Sequence, residues 1–198
     1  MPGAGKTMIA AIAVDHLLKT VQSSSIGIAY VYCNYKAQEE QGTSNLLAAI
    51  LKQLVQARPS LVDPVNRLYM QHVNQGTRPS VEDIFKALLD VLAKFSAVHV
   101  VIDAVDECRE SDGTRNLFLA KLRDLQAKTD LRIMFTSRMI PDIVNEFKTA
   151  LRLEVRASDE DVKRFIAGQV HRLPRCIQRD AALQRMVQDK LTEAVSGM

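Results

Sequence analysis

The sequence contains no tryptophan, and its aromatic residues amount to only 5%. A core built without large rings must rest on Leu, Ile, Val, Ala and Met. Cysteines number three, at positions 33, 108 and 176, with no CxxC pair among them, so neither a disulfide framework nor a zinc site is indicated. Lys and Arg are scattered, and a net charge of +3 is too small to imply nucleic acid or an anionic membrane as partner. No apolar run approaches the ~20 residues that a membrane span needs. The N-terminus, with Gly, Lys and Thr, has no unbroken apolar stretch of the signal-peptide kind. The expected location is the cytoplasm.

What is present is a chain of 198 residues, 47% hydrophobic and 25% charged, of a size that buries a substantial core. Its periodicity alternates between helical and strand-like. Residues 5–20 predict a helix with Ile9, Ile12, Ala13 and Leu17 on one face, and Ile26–Cys33 a strand covered on both faces. Thr43–Arg58 predicts a helix with a stripe of Leu46, Leu47, Ile50, Leu51 and Leu54. Further helices are predicted near 60–74 and 80–95, the latter opened by a Ser80–Asp83 capping box. Val98–Asp103, Leu131–Ser137 and Leu151–Val155 predict strands, and Thr114–Lys128 and a short segment after Pro141 predict helices. A second capping box at Ser158 and Asp161 predicts a helix through about Leu173, and a last helix spans about Gln178–Val195. Strands separated by helices predict an α/β domain with a mainly parallel sheet, followed by a helical segment.

Three segments carry chemistry. Gly3-Ala4-Gly5-Lys6-Thr7, opening directly onto a helix, supplies the end of the phosphate-loop pattern G-x-x-x-x-G-K-[ST]. Small residues let backbone N–H groups curl round a phosphate, the helix N-terminus adds partial positive charge, Lys6 reaches the β- and γ-phosphates, and the Thr7 hydroxyl suits Mg²⁺. The leading glycine of the pattern would fall one position before Met1. VHVVIDAVDE delivers Asp103 at the end of a hydrophobic strand, as a Walker B carboxylate that orders Mg²⁺; Glu107 follows to orient or deprotonate water, with Asp106 beside it as a second acid. LRIMFTSR ends in Thr136, Ser137 and Arg138, where a polar or cationic side chain senses a γ-phosphate. The four histidines (16, 72, 99 and 171) have no partner at ligand spacing and read as core-edge or surface residues; Cys33 and Cys108 each follow a strand and read as buried inert thiols, with an approach to one another near the site as the alternative.

PGAGKT, CNYKAQEEQ, VVIDAVDEC, FTSR and LRLEVRASDEDVKRFI, in that order, resemble a NACHT domain of the STAND class of P-loop NTPases, in its fungal and nephrocystin-like branch. The resemblance implies a three-layer P-loop sandwich whose phosphate-loop strand is missing over residues 1–156, and the start of a helical subdomain over 157–198. It implies a switch that holds ADP at rest and exchanges it for ATP, or GDP for GTP, with Mg²⁺ as cofactor. It further implies oligomerisation through the core, slow hydrolysis, and attached repeat and effector domains not found in this chain. Lys6 and Thr7 would bind phosphate and metal, Asp103 the metal, Glu107 the water, and Arg138 would act like a sensor-1 residue. The sheet is expected to close the gap by moving Leu151–Val155 inward, or else to be marginal. The alternatives are a non-catalytic interaction module or inactive fragment, and an AAA+ DNA-processing motor, against which stands the lack of an evident arginine finger or basic channel.

Overall fold

Three apolar runs become parallel strands, each returned beside its neighbour by the helices that intervene. In the computed structural model, which describes residues 5–155 and 159–196, these are β1 (Ile26–Tyr32), β2 (Ala97–Asp103) and β3 (Leu131–Phe135). β2 lies in the middle, in the order β1-β2-β3, with Tyr32 opposite Asp103 and Ile102 opposite Phe135. The strands belong to a compact unit, Lys6–Ala150, with α1 (Lys6–Thr20), α2 (Thr43–Ala57), α3 (Asp63–Val73), α4 (Val81–Leu92), α5 (Thr114–Gln126) and α6 (Pro141–Glu146).

On one face of the sheet, α2, α4 and α5 close the main core over Ala29, Val31, Val98, Val100 and Ile102. The expected stripe of α2, from Leu46 to Leu54, is buried throughout, each such side chain contributing about 1.5–3 kcal/mol. Gly27 lets that helix approach closely, since a Cβ there would stand 2.8 Å from Leu54 Cδ2. On the opposite face Ala10 and Val14 of α1 pack on Val101, with Leu17 against them. The unit is therefore α/β, a parallel sheet between two helical layers. The expected capping box is present: Asp83 N–H donates to Ser80 Oγ at 3.2 Å, and Ser80 N–H donates to Asp83 Oδ2 at 3.0 Å.

Several expectations are corrected. Ile12 is 62% exposed, because Ala10 and Val14 are the residues of α1 buried on the sheet, with Leu17 of the predicted face packed beside them and Ile9 and Ala13 half-buried. β1 is not covered on both faces: Ala29 and Val31 are buried while Tyr30 and Tyr32 stand exposed as an edge-to-face pair, because α1 packs on Val101 of β2. β3 stops at Phe135 rather than Ser137. Leu151–Val155 is not a strand and does not close the sheet; Leu151 and Leu153 are 105% and 81% exposed. The alternation of LRLEV suits a pleat, but a strand exists only where a neighbour takes its hydrogen bonds.

From Leu151 onward the residues belong to a second unit, described by α7 (Asp159–Gln169), a 3₁₀ turn (Val170–Arg172), α8 (Arg175–Gln178) and α9 (Ala181–Ser196). The helix expected from about Gln178 is present as α9, opened by Asp180, which accepts the N–H groups of Ala182 and Leu183. Ser158 of the second expected capping box lies outside the described residues. Among the described residues no helix is long and apolar enough to cross a membrane.

Candidate functional site

The carboxyl ends of parallel strands face the same way, so β2 and β3 deliver their last side chains and following loops to one edge of the sheet. β2 ends in Asp103, a residue only 4% exposed. Thr7, in the first turn of α1, donates its hydroxyl to Asp103 Oδ2 at 2.7 Å across 96 residues of sequence. Thr136, next in register beyond the Ile102–Phe135 pair, donates its hydroxyl to Asp103 Oδ1 at 2.6 Å and accepts the Ala104 N–H at 2.9 Å. One buried carboxylate is thus satisfied by two hydroxyls, and one hydroxyl both donates and accepts.

Ala104 then takes a left-handed conformation, φ 54° and ψ 49°. A non-glycine residue there stores strain of about 1–3 kcal/mol. Flanking bonds from the Ala104 and Val105 N–H groups to Thr136 hold it. The kink leads into a 3₁₀ turn, Val105–Glu107, that separates the three acids. Asp106 turns to Arg138, accepting its backbone N–H at 3.1 Å and its Nε at 2.8 Å, with the Asp106 side chain 2% exposed. Glu107 Oε2 accepts the Tyr35 N–H at 3.1 Å, and the Glu107 carbonyl accepts Gln38 Nε2 at 2.8 Å. The loop after β1 therefore positions Glu107, while Arg138 and Asp106 hold each other.

Lys6 is half-buried and begins α1, preceded by Gly5 at φ 84°, a value that suits glycine. Gly3 and Ala4, the rest of the expected phosphate loop, lie outside the described residues. The structure brings Thr7 and Asp103 together; it sets Asp106 on Arg138 and Glu107 on Tyr35. The sequence reading named Thr136 among the strand-end residues without its bond to Asp103. Aligning VID with MFT as neighbouring parallel strands reveals it. The Tyr35 and Gln38 contacts have no such signal, since they depend on how a polar loop folds back.

The donor set fits Mg²⁺. A hydroxyl and a carboxylate are hard oxygen ligands, and this ion is usually held by one or two carboxylates together with substrate phosphates. Near the acids, Cys33 and Cys108 are buried with Sγ atoms 3.0 Å apart. Hydrogen bonding to Cys33, helped by the Arg115 guanidinium, holds the Cys108 thiol below its usual range against burial; the bond to Cys108 and burial push Cys33 far up. A separate cleft of about 290 Å³ lies between α1 and the strand middles, lined by His16, His99, Arg132 and Met134. It is remote from the strand ends. Burial and Arg132 lower the His99 pKa.

No curated protein sequence matches this chain. Among solved structures, that of C. elegans PCH-2 is similar at 16% identity over 85% of this chain and 46% of that one, with a TM-score of 0.33. The chain thus spans less than half the length of that relative. Domain III of the Thermotoga maritima replication initiation protein DnaA is similar at 15% identity over 85% of this chain and 70% of that one, with a TM-score of 0.31. Both superpositions are loose, and the assignment rests on sequence. The family model described as nephrocystin 3, N-terminal, matches residues 1–138, and the chain belongs to that family.

Proposed function

We propose that this chain is the nucleotide-binding core of a NACHT-type STAND switch, taking ATP or GTP with Mg²⁺ and hydrolysing it slowly. The observation that carries this reading is the 2.7 Å bond between Thr7 and Asp103, which joins the helix after the phosphate-loop sequence to the acid at the end of β2. In the proposed mechanism the phosphate-loop sequence Gly3-Ala4-Gly5 would bind the β-phosphate, and Lys6 would neutralise the β- and γ-oxygens. Thr7 and Asp103 would hold Mg²⁺, which would supply charge neutralisation at the phosphate oxygens. Glu107, oriented by the Tyr35 N–H, takes the proton of the attacking water. Thr136 fixes the Asp103 rotamer, and Asp106 holds Arg138 at the end of β3. To act as a phosphate sensor, Arg138 exchanges Asp106 for the γ-phosphate, and this exchange is the conformational event the switch needs. Oligomerisation through the core and coupling to repeat or effector domains complete the proposed role.

Titration calorimetry with Mg²⁺–ATP and Mg²⁺–GTP tests it. The chain is expected to bind at least one of them, with binding lost on chelation of the metal and in Lys6→Ala. Glu107→Gln should bind equally while hydrolysis falls about 10²–10⁴-fold, the usual contribution of a positioned base. No heat from the parent chain with either nucleotide would favour the interaction-module reading.

A further inference from the structure

The two buried thiols join the same two segments that position Glu107. Cys33 extends β1 by one residue, its N–H donating to the Asp103 carbonyl at 3.0 Å, and its neighbours Asn34 and Tyr35 are exposed. Cys108 follows directly on Glu107. The sulfurs lie 3.0 Å apart although 75 positions separate them in sequence. A disulfide bond is ~2.05 Å long, so the sulfurs need to close by only about 1 Å. Arg115, 2% exposed and 2.8 Å from Glu110, stands on the Cys108 side and favours its thiolate. The thiolate is the form that oxidants attack.

We propose that Cys33 and Cys108 are a reversible oxidation site, at which a small peroxide converts the two thiols into a disulfide that fastens the loop after β1 to the acid-bearing turn. The Cys108 thiolate attacks one peroxide oxygen, breaking the O–O bond and giving a sulfenic acid and hydroxide. The Cys33 sulfur then displaces the sulfenic oxygen, forming the S–S bond. Hydroxide and the displaced oxygen take up both thiol protons as water. Two thiols and one hydrogen peroxide thus give one disulfide and two waters. The peroxide is reduced and both sulfurs are oxidised. The bond closes over the contacts of Tyr35 and Gln38 with Glu107, and so holds that carboxylate where it stands. The effect on hydrolysis rests on the proposed role of Glu107; the disulfide itself does not.

The test uses the full chain carrying Cys176→Ser, which removes the exposed thiol. After hydrogen peroxide, peptide mapping without reductant should find the Cys33 and Cys108 peptides joined, lighter by two hydrogens than their sum, and separated again by dithiothreitol. Amide exchange at Tyr35 should slow in the oxidised chain. Adding Cys108→Ser should abolish the cross-link, with circular dichroism showing that the variant is folded. The proposal is overturned if peroxide leaves both thiols free in the folded chain or carries them singly to sulfinic acids. Joining only in urea, or unchanged exchange at Tyr35, overturns it equally. No readout requires nucleotide, so failure to bind ATP leaves this result independent.

Discussion

Thr136 shows how much one hydroxyl can organise. It donates to Asp103 Oδ1 and accepts from the Ala104 N–H, so it both satisfies a buried carboxylate and holds the strained residue that follows. Thr136→Val keeps the shape but leaves the Ala104 N–H and Asp103 Oδ1 without this partner, Thr7 still bonding Oδ2. A buried polar group left unpaired costs about 1–3 kcal/mol, more when charged. For a chain of this length that lowers the unfolding midpoint by roughly 2–4 °C per kcal/mol. Thr136→Ser, which keeps the hydroxyl, should melt close to the parent. The two variants compared by scanning calorimetry decide the point: equal midpoints for Val and Ser would mean that the hydroxyl contributes nothing. The same residue explains what was legible at this scale. Asp103 and Thr7 stand out in the sequence because acid at a strand end and GKT before a helix are rare by chance. The Asp106–Arg138 pair does not, because both residues lie in irregular turns whose direction depends on a left-handed Ala104, a conformation alanine seldom adopts.

Strands and helices were legible where burial imposed a period. The stripe of α2 and the capping box of α4 follow from residue spacing alone. Periodicity has no means of naming partners, and so it marked LRLEV as a strand although among the described residues it joins no sheet. It is equally silent on sheet edges. β1 is an edge strand, and two glutamines mimic a neighbouring backbone along it. Gln53 accepts the Tyr30 N–H at 3.0 Å and donates to the Tyr30 carbonyl at 2.8 Å. Gln41 accepts the Asn34 N–H at 2.8 Å and donates to the Tyr32 carbonyl at 3.0 Å. Each amide occupies one donor and one acceptor that would otherwise template another chain. Gln53→Ala combined with Gln41→Ala should therefore leave secondary structure unchanged at low concentration and raise light scattering on warming at high concentration. Scattering no greater than the parent's would show that the glutamines are not what protects this edge.

At the scale of the whole molecule, the two units differ in how much apolar surface secures them. In Lys6–Ala150 the sheet and α2, α4 and α5 enclose a continuous core in which Leu47, Leu54, Leu88 and Ile102 are fully buried. In the unit from Leu151 onward, Ile166 and Thr192 alone are buried among the described side chains, while Phe165 and Met186 face solvent. Opening free energy follows local burial, from nearly zero where few apolar groups are covered up to the global value in the core. Amide protons of β2 and α4 should therefore exchange only through global unfolding, and those of α7 and α9 through much cheaper local opening. Hydrogen exchange read by mass spectrometry distinguishes these regimes by their denaturant dependence: the core amides should track the global transition and the α9 amides should scarcely respond. Saturating nucleotide sharpens the comparison, because a ligand at 100 times its Kd adds about 2.7 kcal/mol to any unit whose folding its site requires. If the site lies at the ends of β2 and β3, that increment appears in β2 and α4. Its appearance in α9 as well would mean that the helical unit also closes on the ligand, whereas equal protection of α9 and β2 without nucleotide would refute the division drawn from burial.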